Sequence, residues 1–140
     1  MKIQIIKTFE IDPLIADSII ILNKKGYSTS FSCSGHSEKF FSTTDKLVTK
    51  AKGVDKVYYC GTYVCFMNNY FDDIPINWIR GLSATNINGI YRFFTEEEYN
   101  KFTKDELISI AMHELKSWVN KLNDNEQSLI YDTIDIHKLE

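Results

Sequence analysis

Residues 12–33, DPLIADSIIILNKKGYSTSFSC, carry the pattern from which the architecture can be built. Asp12 has the form of an N-cap, and Pro13 that of a first helical residue, where a missing N–H costs nothing. Ile15, Ile19 and Leu22 then recur at helical spacing, flanked by Leu14 and Ile20. Lys24 and Lys25 suit the negative end of the helix dipole, and Gly26 suits a closing left-handed residue. The spacing predicts a helix over 13–25. From Tyr27 to Cys33 the period drops to two, with Tyr27, Thr29, Phe31 and Cys33 on one face and Ser28, Ser30 and Ser32 on the other. An upstream strand, KIQIIKTF over 2–9, makes the order strand–helix–strand, which is βαβ-like if the two strands run parallel.

Further along, Val57 to Met67 reads as a strand with Gly61 as a bulge, and Gly89 to Phe94 as another. Two capping boxes follow, Thr95 with Glu98 and Thr103 with Glu106. The second opens a long helix whose apolar stripe is Leu107, Ala111, Leu115, Trp118 and Leu122. Residues 37–56 show no period, are locally basic and read as a functional or mobile loop. Trp78, Ile79 and Leu82 read as one helical turn within the ambiguous stretch 76–88. The expected class is α/β (α+β): a small mixed sheet with a βαβ-like start and a long C-terminal helix packed on it. Residues 1–140 are expected to form a single domain, with 126–140 as an edge strand or a partner-binding tail.

Composition narrows the function. The chain has 140 residues, 44% of them apolar and 14% aromatic, and a net charge of −3. That supports a proper core and argues against a protein that coats nucleic acid or an anionic membrane. No stretch approaches the ~20 apolar residues of a membrane span. Three cysteines without scaffold spacing point to reduced thiols and a cytoplasmic setting.

Chemistry concentrates in the turn Ser32-Cys33-Ser34-Gly35-His36, at the end of a strand. Gly35 permits positive φ, and consecutive N–H groups there can form an anion nest. The hydroxyls and the imidazole add donors suited to a phosphate, a carboxylate or a base edge. A plain solvated turn is the competing reading. Cys33, His36, Cys60 and Cys65 form the one candidate metal cluster, with Cys60 and Cys65 facing opposite ways on a regular strand unless Gly61 bulges. Ordinary buried cysteines are the commoner explanation, so no metal is expected. Cys33 as a nucleophile with His36 as base is a further reading of the same turn. Phe40, Phe41, Tyr58, Tyr59 and Tyr63 interleave with lysines in the manner of a base-stacking surface, although most of them are expected in the core.

The residues Ile11-Asp12, Ile15-Ala16, Leu22 to Tyr27 and Ser32 to His36 resemble a group of small proteins from Gram-positive bacteria and their phages. That resemblance covers about the first quarter of the chain and implies no activity. Ser32-Cys33-Ser34-Gly35 also resembles the signature of the wybutosine-synthesis tRNA methyltransferase family, which implies S-adenosylmethionine and a tRNA guanosine. That signature ends in Arg where this chain has His36.

The expected function is therefore a non-enzymatic binding protein for an anionic or nucleotide-like small molecule. Ser32, Cys33, Ser34, Gly35 and His36 would hold the ligand, with Tyr59 and Tyr63 as walls and no cofactor. Such a protein in a phage would sequester a defence signal or inhibit a host protein. The alternatives are a methyltransferase-like enzyme on nucleotides or RNA, and an interaction module forming a homo-oligomer.

Overall fold

The computed structural model describes residues 2–67, 71–81, 88–125 and 130–138, the strands 2–11 and 130–138 by their backbone alone. In chain order the elements are β1 (Lys2–Ile11), α1 (Pro13–Lys24), β2 (Thr29–Cys33), a 3-10 turn (Ser37–Lys39), β3 (Phe41–Thr43), α2 (Lys46–Lys52), β4 (Val57–Tyr59), β5 (Tyr63–Phe66), β6 (Ile79–Arg80), β7 (Gly89–Tyr91), β8 (Phe94–Thr95), α3 (Glu96–Lys101), α4 (Lys104–Lys121) and β9 (Ile130–Lys138). The class is α+β, with the long helix α4 packed into the core as expected.

Local signals act where the chain carries them. Asp12 caps α1, its Oδ1 accepting the N–H groups of Leu14 and Ile15. Gly26 follows the helix at φ 91°. Both capping boxes close, on Glu98 for α3 and on Glu106 for α4. Ile15, Ile19 and Leu22 of α1 meet Leu107, Ala111, Leu115 and Trp118 of α4 in one buried cluster with Val64, Phe66, Ile90 and Phe94 from the strands. The ends of the two helices are laced together. Lys25 Nζ donates to the carbonyls of Val119, Asn120 and Leu122, and Tyr27 Oη donates to that of Asn123.

Several expectations change. β1 pairs in parallel with β9, while β2 belongs to a different sheet, so the opening strand–helix–strand run is not a βαβ unit. A register shift between Thr29 and Phe31 breaks the alternation expected for β2. Thr29 is buried and bonded to Asn23, whereas Phe31 is 70% exposed. Residues 37–56 are not a loop. They contain β3 and the helix α2, capped by Asp45 and closed by Gly53 at φ 70°. Ile79 and Arg80 pair with β7 as a strand, not a helical turn, and Leu82 lies outside the described residues.

The two antiparallel sheets, β2-β5-β7-β6 and β3-β4-β8, share three runs of chain, with β6 added at the edge of the first. Each run is interrupted once, at 34–40, at 60–62 and at 92–93. The interruptions bond to one another. His36 N–H donates to the Cys60 carbonyl, Arg92 N–H to the Thr62 carbonyl and Thr62 Oγ1 to the Ser34 carbonyl. The expected strand 57–67 is thus divided, with Gly61 at φ 88° in the break.

Arg92 plugs this junction and is fully buried. Its Nε and Nη2 donate to Glu114, Nη2 and Nη1 donate to Glu98, and Nη1 also reaches the Phe93 carbonyl. Every donor of the guanidinium is used, as a charge inside a protein requires. Asn77, at φ 68°, donates to Glu114, and Lys52 donates to the Asn77 carbonyl. Burial lowers the Lys52 pKa, and Arg92 adds to that, against the pull of both glutamates.

Candidate functional site

The Ser32–His36 turn sits where the first run is interrupted, and its backbone is consumed by the fold. Ser34 N–H donates to Asp12 Oδ2 at 3.0 Å, Gly35 N–H to Cys33 Sγ at 3.4 Å, and His36 N–H to the Cys60 carbonyl at 2.9 Å. The expected anion nest therefore has its donors taken, one of them by the protein's own carboxylate. Asp12 serves two elements at once, capping α1 through Oδ1 and holding the turn through Oδ2.

Gly35 is required for close packing. It lies at φ 110°, and a Cβ there would stand 2.5 Å from Thr62 Oγ1 and 2.8 Å from Cys60 Sγ. The glycine faces the interior, not a ligand. Ser34 is buried with it, and Ser32 pairs with Val64, on the core side of the sheet. Of the turn residues, Cys33 and His36 have side chains within hydrogen-bond reach of each other, Cys33 Sγ standing 3.4 Å from His36 Nε2.

Tyr59 and Tyr63 lie on the outward side. Across the strands Cys33 pairs with Tyr63, Tyr63 with Tyr91 and Tyr91 with Ile79, while Phe31 pairs with Cys65 and Cys65 with Gly89. Paired residues share a face. The opposite face holds Val64, Ile90 and Phe66, all buried. The outward face is thus a sheet of aromatic rings. Tyr63 and Tyr91 stack at 5.9 Å, Tyr59 and Phe93 at 4.5 Å, and Phe41 meets Tyr59 edge-on. Gly89 clears the space for Tyr91, whose ring and hydroxyl atoms would lie 2.8–3.1 Å from a Cβ at that position. Burial pushes the hydroxyls of Tyr59 and Tyr63 up, and that of Tyr91 up to about 12. Phe40 and Tyr58, by contrast, pack against the core.

The four-residue metal cluster is not assembled. Cys60 is buried under Gly35, and Cys65 faces outward at 3.8 Å from the Tyr91 hydroxyl. Gly61 does not bring them to one side. Among the described residues no group of three or more His, Cys, Asp and Glu side chains is placed to hold a metal ion. A separate groove of about 430 Å³ lies between the 73–76 turn and α4, with Glu114, Ser117, Trp118 and Lys121 along it.

Sequence reasoning missed Phe31, Tyr91 and Phe93 as parts of the outward face. The two-residue spacings of Phe31 from Cys33 and of Tyr91 from Phe93, which put both members on one side of an extended chain, were the available signal.

No family model, curated protein or solved structure matches the chain. No helix among the described residues is long and apolar enough to cross a membrane.

Proposed function

We propose that this protein is a cytoplasmic binding module that receives a planar, nucleotide-like small molecule on its outward aromatic face. The observation that carries the reading is the set of rings from Tyr59, Tyr63, Tyr91 and Phe93, displayed on the side of the sheet opposite the core. Aromatic side chains left at a surface bind π-faces, and base stacking of this kind is worth ~1–3 kcal/mol per base. The Ser32–His36 turn forms the rim. With its N–H groups engaged, the anionic part of a ligand is met by Lys39, whose charge is felt at Cys33. The reading needs no catalytic residue, and a protein of this kind acts by sequestration.

Calorimetric titration with AMP, GMP, CMP and UMP, against ribose 5-phosphate, tests it. Saturable binding of nucleotides but not of the sugar phosphate is expected, weakened about tenfold by Tyr63→Ala. Absence of binding by all four nucleotides, or unchanged affinity in the Tyr63→Ala variant, rejects it.

A further inference from the structure

Cys33 differs from the other two cysteines. Cys60 is 2% exposed. Thr62 gives its only hydroxyl hydrogen to the Ser34 carbonyl, so the Cys60 thiol donates to Thr62 Oγ1 and keeps its proton. Cys65 faces a tyrosine hydroxyl. Cys33 is half-buried at the rim and faces an imidazole. His36 Nδ1 stands 3.9 Å from Glu38 Oε1. A carboxylate on that side favours the ring proton at Nδ1 and leaves Nε2 as the acceptor toward Sγ. Gly35 N–H points at the same sulfur.

From this geometry we infer that Cys33 is a nucleophilic thiol that undergoes exchange with small disulfides, with His36 as its proton acceptor and Glu38 as a positioning residue. His36 Nε2 takes the proton from Sγ, and the thiolate attacks one sulfur of the disulfide. A new S–S bond forms to Cys33 as the old one breaks, and its electron pair leaves with the second sulfur as a thiolate. The disulfide is the oxidant, so Cys33 is oxidised and the leaving sulfur is reduced. Acyl transfer is disfavoured by the same turn. Its N–H groups are engaged, leaving none to receive a tetrahedral oxyanion. Exchange at sulfur makes no such demand. Burial holds the thiol protonated, with Asp12 adding to the effect and Gly35 N–H and Lys39 opposing it. A base within reach is what makes such a thiol reactive, and a more basic sulfur is the stronger nucleophile once the proton is gone.

The test uses 5,5′-dithiobis(2-nitrobenzoate) as the probe, with release of the coloured thiol followed in time and the labelled residue located by peptide mass. Cys33 is expected to react first, and Cys33→Ser to remove the fast phase. His36→Ala should slow that phase about tenfold or more, and added imidazole should restore part of it. Glu38→Gln should slow it less. Thermal melts show whether each variant remains folded, and His36, 49% exposed, tolerates replacement. Faster labelling of Cys65, an unchanged rate in His36→Ala, no rescue by imidazole, or closure to an internal disulfide would each overturn the inference. None of these outcomes depends on nucleotide binding.

Discussion

Replacing Gly35 by Ala tests the account of the turn most directly. Three costs add. A side chain at φ 110° is strained by ~1–3 kcal/mol. The new methyl group stands 2.5 Å from Thr62 Oγ1 and 2.8 Å from Cys60 Sγ, so buried atoms must move, at ~1–3 kcal/mol. Displacing Thr62 weakens its 2.9 Å bond to the Ser34 carbonyl, worth ~1 kcal/mol. The expected loss is about 3–7 kcal/mol, and at a urea slope of about 2 kcal/mol/M the midpoint falls by about 1.5–3.5 M. Equilibrium urea denaturation followed by circular dichroism measures it. The clash is specific, so the effect must be non-additive. In a Thr62→Ala background the Gly35→Ala penalty should shrink by about 1–2 kcal/mol, because the nearest obstructing atom is gone. A Gly35→Ala loss below about 1 kcal/mol, or an equal loss in both backgrounds, would refute the reasoning. Either way, a bulky residue at Gly35 is unsuitable for probing ligand binding, since it tests the fold first.

Other consequences can be measured in the same way. Arg92→Met leaves Glu98 and Glu114 facing each other without their cation, and a loss of ~3–5 kcal/mol is expected, read as a fall of about 10 °C in Tm. Burial alone would raise the Glu98 pKa, but the Arg92 guanidinium and the Thr95 N–H overcome it and hold the carboxyl below its ordinary value. That stability is present above the ordinary carboxylate pKa and is lost as pH falls through the depressed folded value. Glu98→Gln should therefore cost stability near about pH 7 and much less near about pH 3, compared by urea melts at both. The Tyr91 hydroxyl, pushed up to about 12 by burial and by Cys65 and Tyr63, should ionise after ordinary tyrosines in a spectrophotometric titration, and Tyr91→Phe should delete that late step.

The helices α1, α3 and α4 were legible because their signals are local. α1 carries a cap, a periodic stripe and a closing glycine, α4 a capping box and a stripe, and the six-residue α3 its capping box alone. The short α2 had caps too, at Asp45 and Gly53, but it buries only Thr49 and so carries no apolar stripe to read. The shift in β2 was not legible. It is set by pairing with Cys65 and Phe66, more than thirty residues away, and nothing within Thr29–Cys33 encodes it. A lone Arg92 among aromatic residues reads as a solvated charge until Glu98 and Glu114 are brought around it. The turn Ser32–His36 stood out by composition, and the structure shows that much of that composition serves packing. The acceptor for the Ser34 N–H, Asp12, is 22 residues upstream and already had an evident role as a helix cap.

The lacing of Lys25 to the end of α4 bears on how the chain is made. The ammonium group waits for carbonyls 94, 95 and 97 residues further along, and β1 waits longer still for β9. On a ribosome that releases the chain from its N-terminus, α1 emerges early with its apolar side uncovered. It finds its permanent neighbours only once α4, far downstream, has been synthesised. Premature termination anywhere before α4 thus yields a fragment with an exposed amphipathic helix, a natural substrate for chaperones and proteases.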